Sequence, residues 1–197
     1  MFSMNFLAHI YLSGKNPHMQ IGGIMADGVR GKDYLLYPED IQKGILLHRK
    51  IDTFTDAHPI FRQSKHRLHE NYGHFSGIIA DVFYDHFLAK NWKNYSDENL
   101  ADFVQNFYQN LQIHQNELNL KTLNMMPYMI KGNWLYNYQF IEGVEKTLTQ
   151  MDHRTKFKSK MGESVFELKL FYKEFETEFT QFFEEIRAFC KTEIQKM

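Results

Sequence analysis

The sequence predicts an all-α protein, a single-domain helical bundle over residues 1–197, and three observations carry that prediction. Apolar residues recur at steps of three and four along nearly the whole chain, and no convincing segment of strict alternation interrupts them. The 197 residues contain only four prolines, and no Gly/Ser/Pro-rich linker divides them. The last segment sets Val165, Leu168, Tyr172, Phe175, Phe179, Phe182, Ile186 and Phe189 at alternating steps of three and four. Such a stripe is a long C-terminal helix, either packed along the bundle of a monomer or forming the seam of a homodimer.

The elements follow in order. A short first helix is capped by Asn5 and ends at Gly14, and a second opens with Pro17 at its first position and runs to about Val29. "RGKDYLLYPED" reads as a loop. Pro38 then starts a helix with Ile41, Ile45, His48 and Asp52 on one face. Pro59 and the Gly73–Gly77 region bracket the next helix. "SGIIADVFYDHFLAKNW" follows, with Ile78, Asp81, Val82, Asp85, Leu88 and Trp92 sharing a face. Ser96 or Asp97 caps a helix carrying Leu100, Val104, Phe107 and Leu111. From Pro127, a segment with Trp134, Tyr138, Ile141 and Val144 makes one or two more.

Lys+Arg 23 against Asp+Glu 24 gives a formal charge of -1, so no global charge argues for a nucleic-acid or membrane-surface partner. The single cysteine, Cys190, cannot form an internal disulfide, and the N-terminal stretch lacks a basic region followed by a long apolar run. Both features place the protein in the cytoplasm. No apolar run approaches the roughly 20 residues that span a bilayer.

The chemistry lies in a polar stripe where a core face is expected. Residues four apart on a helix differ by about 40° in azimuth, so His48 and Asp52 share the face of Ile41 and Ile45. Asp81 and Asp85 repeat the anomaly on the face of Ile78, Leu88 and Trp92, with His86 about 100° away. His9 inside "NFLAHIYL" and Asp27 inside "IGGIMADGVRG" are two more polar residues in apolar surroundings. Each has an ordinary reading on its own. His9 suits a hydrogen-bonded core histidine, Asp27 a turn near Gly28 and Gly31, Asp56 the cap of the helix after Pro59, and the paired residues a surface salt bridge. Together, inward acids and imidazoles from different helices call for a cation, because a buried carboxylate without a partner costs several kcal/mol or more.

The donor set suits manganese best, with magnesium or iron as alternatives, since oxygen-rich coordination with one or two imidazoles and no cysteine argues against structural zinc. No Glu-x-x-His pair stands on these helices, and "HRKID" is not the His-Glu-x-x-His of zinc proteases. Hydrolysis by metal-activated water fits better. Arg30 and Lys32 after Asp27, Arg49 and Lys50 after His48, and Arg154 after His153 are cations that could hold a phosphate.

The blocks "MNFLAHIYLSG", "IGGIMADGVRG", "GILLHRKIDTFTDAHP", "DVFYDHFLAKNW" and "NWLYNYQFIEGV" occur in order from residue 4 to about 145. In combination they resemble the acyl carrier protein phosphodiesterase family. The resemblance implies an all-helical, manganese-dependent enzyme, distantly like the HD phosphohydrolases, that hydrolyses the phosphodiester joining 4'-phosphopantetheine to a serine of holo-acyl carrier protein. It also implies metal ligation by Asp27, His48, Asp52 and Asp85, with His9, Asp81 and His86 as further ligand, outer-sphere or acid/base groups. Gly23 and Gly28 depart from the family's "GN-x-x-AD-F-V" form, where an asparagine and a large apolar residue are expected, and Asn137 stands at an often basic position.

On this reading Arg49 or Arg30 stabilises the phosphoryl oxygens and a histidine such as His86 protonates the departing serine oxygen. The segment "FRQSKHRLHENYGH", with Arg62 and Lys65, offers a basic face to an acidic carrier protein, or is simply a solvated helix face. Two rivals stand beside this reading. One is an HD-like phosphohydrolase acting on a nucleotide or small phosphoester, and the other is a non-enzymatic helical binding module with an internal His/Asp hydrogen-bond network.

Overall fold

A computed structural model describes residues 6–197, and no strand occurs among them. The helices are α1 (Phe6–Leu12), α2 (Pro17–Met25), α3 (Glu39–Ala57), α4 (Pro59–Tyr72), α5 (Ser76–Lys90), α6 (Leu100–Ile113), α7 (Leu120–Gly132), α8 (Trp134–Asn137), α9 (Ile141–Arg154), α10 (Val165–Leu170) and α11 (Tyr172–Gln195). Short 3₁₀ turns join several of them. No helix among the described residues is long and apolar enough to cross a membrane.

Most boundaries follow the local chemistry. The Asn5 cap lies outside the described residues, and the chain leaves α1 through Gly14 at φ 76°. The Asn16 side chain accepts from the backbone N–H of His18, and Pro17 fills the first position of α2, where a missing N–H costs nothing. That helix stops at Met25, short of the expected Val29, and tightens into a 3₁₀ turn over Ala26–Gly28. The cap of α6 is Asn99, which accepts from the N–H of Asp102, and neither Ser96 nor Asp97 fills that position. Asn119 caps α7 by accepting from the N–H of Thr122, so this helix begins seven residues before Pro127 and carries the proline inside it. The C-terminal stripe is interrupted at Phe171, whose φ of -112° and ψ of 33° separate α10 from α11.

Beyond that interruption, Phe175, Phe179, Phe182 and Ile186 are buried against α3, α4 and α5. Ring pairs such as Phe83–Phe175 at 5.2 Å and Tyr84–Phe179 at 5.5 Å fill the contact edge to face. The aromatic stripe therefore belongs to the chain's own bundle. Glu178 is buried on the same helix and fully engaged: both of its oxygens accept from the Arg67 guanidinium, at 2.8 and 2.7 Å, and Ser64 and Gln63 add further donors. This fork fixes the register of α4 on α11.

The tightest helix pair is α2 on α3. A Cβ placed on Gly22 would overlap the Ile41 carbonyl, and one on Gly44 would overlap the Met19 carbonyl. The two glycines let the helix backbones touch, and Met19, Ile21, Ile41 and Ile45 close the contact on either side. Gly44→Ala is therefore expected to lower stability by about 1–3 kcal/mol or more, since the backbones must separate. Thermal or urea unfolding followed by circular dichroism would measure it; an unchanged midpoint would contradict so close a contact.

Candidate metal centre

The contact at Gly22 and Gly44 brings Gly23 against the next turn of α3. There the His48 Nδ1–H donates to the Gly23 carbonyl at 2.7 Å. Committing Nδ1 as the donor leaves the Nε2 lone pair of a neutral ring as the free position. His48 Nε2 is buried, has no hydrogen-bond partner, and faces two carboxylates, Asp52 Oδ2 at 3.2 Å and Asp27 Oδ1 at 3.8 Å. Asp52 stands one helical turn on from His48, and its other oxygen lies 3.3 Å from His9 Nε2.

His9 arrives from α1. Its ring stacks on His48 with centroids 3.8 Å apart and planes at 17°, and both imidazoles are buried. His9, His48 and Asp52 each present a ligand atom within 4.8 Å of the others. Asp27, in the turn after α2, closes the cluster on the far side and is paired with Lys121 Nζ at 3.4 Å. His9, His48 and Asp52 thus form a group that could hold a divalent cation, with the Asp27 carboxylate beside His48.

Protonation follows the same geometry. Burial lowers the pKa of His48, but the adjoining Asp27 and Asp52 overcome it and raise the group to about 9. His9 goes the other way, to about 4, through burial and then the charge of His48, against which Asp52 is too little. Of the stacked pair, His48 is thus the one whose charged form is favoured and His9 the one held neutral. Burial pushes Asp52 upward, yet the two histidines hold its carboxyl well below the usual range.

Asp52 also opens onto a cavity of about 440 Å³ lined by Thr55, Asp56, Phe61, Lys65, Phe75, Ile78 and Asp81 among others. The Thr55 hydroxyl is buried there without a partner. Asp81 has its pKa raised well above the ordinary value, first by burial and then by the charges of Asp52, Asp85 and Asp56, with Lys65 opposing. Lys65 Nζ lies 3.6 Å from Asp56 Oδ1 on the cavity wall. Asp56 itself sits in the last turn of α3, and the position capping α4 is taken by His58.

Several expected site residues are placed elsewhere. Both oxygens of Asp85 accept backbone N–H groups at the start of α1, from Leu7 at 2.9 Å and Ala8 at 2.8 Å. Asp85 thus anchors the helix that carries His9 and is not among the clustered ligands. His86 is buried with Nδ1 against the Tyr138 carbonyl at 2.7 Å and Nε2 against the Tyr172 hydroxyl at 2.8 Å, so neither nitrogen is available as an acid toward the cavity. Arg49 gives its terminal nitrogens to the carbonyls of Gly31 and Val29, tying down the loop after Asp27 instead of offering a phosphate cradle. Arg30 is exposed on that loop, and Arg154 ends α9 without a contact to the cluster. Arg62 is exposed on α4, where its Nε donates to the Asp56 carbonyl.

Lys121 and Asn119 were not legible as site residues. Each lies more than ninety positions from its partner around Asp27, and nothing in their local spacing signals it. Asn119 Nδ2 donates to the Met25 carbonyl at 2.9 Å and occupies the space that a Cβ on Gly28 would enter. Two of the three positions that depart from the form the resemblance implies have local reasons to be glycine: Gly28 makes room for Asn119, and Gly23 makes room for the Ser13 hydroxyl, 2.9 Å from where its Cβ would stand.

Comparison with known proteins shows the family. The acyl carrier protein phosphodiesterase family profile matches residues 4–186. The chain is 30% identical over 181 residues to the acyl carrier protein phosphodiesterase of Photorhabdus laumondii, covering 91% of each chain. It is 28% identical to that of Pectobacterium atrosepticum over 96% of this chain and 99% of the relative. It is 30% identical to that of Escherichia coli O139:H28 over 94% and 96%. No solved structure matches the chain.

Metal binding at this cluster must displace the His48 proton, because only the neutral imidazole ligates. The apparent manganese affinity is therefore expected to rise about tenfold per pH unit from pH 7 and to flatten near 9. Titration calorimetry in buffers of different ionisation enthalpy should find about one proton released per ion at pH 7. In the metal-free protein the sign reverses. A histidine whose pKa is raised by folding stabilises fully below about 6.5, and that contribution is lost as pH climbs through 9. A manganese affinity independent of pH would rule out His48 as a ligand.

Proposed function

The chain belongs to the acyl carrier protein phosphodiesterase family, an enzyme of that type, and we propose that it hydrolyses the phosphodiester between 4'-phosphopantetheine and a serine of holo-acyl carrier protein, using manganese held by His9, His48, Asp52 and Asp27. The observation that carries this reading is the orientation of His48. Its Nδ1–H is spent on Gly23, and its Nε2 is turned to the carboxylates of Asp52 and Asp27 at 3.2 and 3.8 Å, beside an open cavity. The likeness to HD phosphohydrolases rests on that ligand chemistry alone.

A divalent ion held by His9, His48, Asp52 and Asp27 would supply Lewis-acid chemistry, lowering the pKa of water toward neutrality and drawing charge from a phosphoryl oxygen. The chain's own groups account for the rest. Hydrolysis joins a water oxygen to phosphorus and breaks the phosphorus–serine oxygen bond, so the departing oxygen needs a proton. Asp81 is suited to donate it: its carboxyl opens on the same cavity as Asp52 and stays protonated, through burial and neighbouring negative charge, at pH values where an ordinary aspartate is ionised. The Lys65 ammonium, on the same wall, offers donors to the phosphoryl oxygens. Phe61, Phe75 and Ile78 give the cavity an apolar side, against which the pantetheine arm can lie. Arg62, outside the cavity, is the cation left to steer an acidic carrier. A cytoplasmic location suits that substrate.

Incubating the protein and manganese with holo-carrier should remove the phosphopantetheine mass, detected by mass spectrometry, while nucleotides stay intact. The opposite preference would favour the small-phosphoester reading, and no turnover with no bound metal would favour a binding module. Asp52→Asn should abolish turnover and weaken manganese, because the amide keeps the shape but loses the charge. Asp81→Asn should keep the metal and lower kcat by about 10²–10⁴.

The steering role is tested separately. Arg62→Glu is expected to raise KM for holo-carrier and blunt its salt dependence while sparing a small phosphodiester. Equal loss on both substrates would instead indicate damage to the site.

A further inference from the structure

A second group of metal-ligating side chains lies outside the cavity. His18, in the first turn of α2, His114, at the C-terminal cap of α6, and Glu117, in the 3₁₀ turn that follows, each present a ligand atom within 4.8 Å of the others. The imidazoles meet edge to face with centroids 4.5 Å apart, and the Glu117 carboxylate lies between them. One of its oxygens is 2.7 Å from His114 Nδ1 and the other 3.5 Å from His18 Nε2. Tetrahedral zinc with bonds of about 2.1 Å needs ligand atoms about 3.4 Å apart, so the three need only small adjustments.

We propose that His18, His114 and Glu117 form a separate site for a zinc-type ion, two imidazoles and one carboxylate with the fourth position open to solvent. The donor set is poorer in oxygen than the Asp/His cluster and favours a borderline ion over manganese. The side chains are held at fixed backbone positions. The His18 N–H donates to the Asn16 side chain, the His114 N–H closes on the Asn110 carbonyl, and the Glu117 N–H donates to the His114 carbonyl. Asp40, gripped by Asn16, adds negative charge on the His18 side. All three ligands are about one-third exposed or less, so an ion can enter without unfolding the chain.

The position gives the site a purpose. His114 and Glu117 lie in the connection from α6 to α7, which continues into Asn119 and Lys121, the two residues that reach the turn carrying Asp27. A bound ion would pin that connection to the N-terminal end of α2. The ion is structural in this role and takes no part in hydrolysis.

Equilibrium dialysis against zinc, with Co²⁺ absorption to report the ligand geometry, tests the site. The parent chain is expected to hold one more ion than His114→Ala. Glu117→Gln should lose at least about tenfold in affinity for that ion, no less than removal of an outer-sphere partner costs. The cobalt spectrum of an Asp52→Asn protein, whose first cluster is impaired, should be that of a four-coordinate site and should vanish when His114→Ala is added. Helical circular dichroism should be unchanged in each variant, since the three side chains sit at the surface. Identical stoichiometry and affinity in the parent, His114→Ala and Glu117→Gln would overturn the proposal, whatever happens at Asp52. Loss of an ion in His114→Ala but not in Asp52→Asn would uphold this site while removing metal from the proposed catalytic cluster.

Discussion

The touching backbones of α2 and α3 at Gly22 and Gly44 are the constraint from which the candidate centre follows. Without that approach, the Gly23 carbonyl would not reach His48 Nδ1. The ring could then choose either tautomer and either face. With it, one hydrogen bond of 2.7 Å sets which nitrogen is protonated, and helical pitch sets Asp52 one turn away on the same side. A metal centre needs its ligands held before the ion arrives, because each freely rotating side chain must otherwise be ordered at the expense of affinity. Here that ordering is done by two residues with no side chain at all.

Aspartates of one sequence type have three fates in this fold, and their partners decide which. Asp85 is desolvated completely, and burial pushes its carboxyl well above the ordinary range even though two backbone N–H groups of α1 oppose the shift; its oxygens are spent on architecture. Asp52 and Asp27 are compensated by imidazolium and ammonium, partners that an incoming cation can displace or join. Asp81 has neither an amide partner nor an adjacent cation strong enough to outweigh its neighbours, so burial and then the charges of Asp52, Asp85 and Asp56 push its carboxyl well above the ordinary range with no backbone group to engage its oxygens. One helix, α5, therefore supplies both a fastening for the helix of His9 and the carboxyl proposed as the acid in the cavity, a single turn apart.

The helical class, the order of the elements and the His48/Asp52 pair were legible because they depend on spacing within one helix. Pro17, Pro38 and Pro59 marked helix starts for a reason internal to proline, and the stripe of Phe175, Phe179 and Phe182 marked its own buried face. What spacing alone did not reveal was which distant group each of the remaining residues would meet. Asp81 and Asp85 look identical in sequence until α1 docks on one of them. His86 looks like a site histidine until the Tyr138 carbonyl and the Tyr172 hydroxyl take its two nitrogens. Arg49 follows a ligand in sequence, but its chain turns back to the Val29–Gly31 loop. Lys121 had no local signal, because an exposed lysine in the first turn of α7 is ordinary until Asn119 anchors that turn on Met25.

The exposure of Asp52 fixes the direction of approach. His9 and His48 are almost wholly buried, while the Asp52 side chain is 38% exposed and is the one cluster member that also lines the cavity. On the proposed function, a phosphodiester would reach the cluster past Asp52, with Lys65 and Asp81 on its flank. Lys121 stands behind Asp27 on the opposite side, where it balances charge without meeting the substrate. The two lysines have different work for that reason. One neutralises a carboxylate that is permanently in place, and in the proposed function the other would meet a charge that arrives only with the substrate. A cation on the substrate side must be free to move its donors onto phosphoryl oxygens, and Lys65, held by a single exposed carboxylate at 3.6 Å, keeps that freedom.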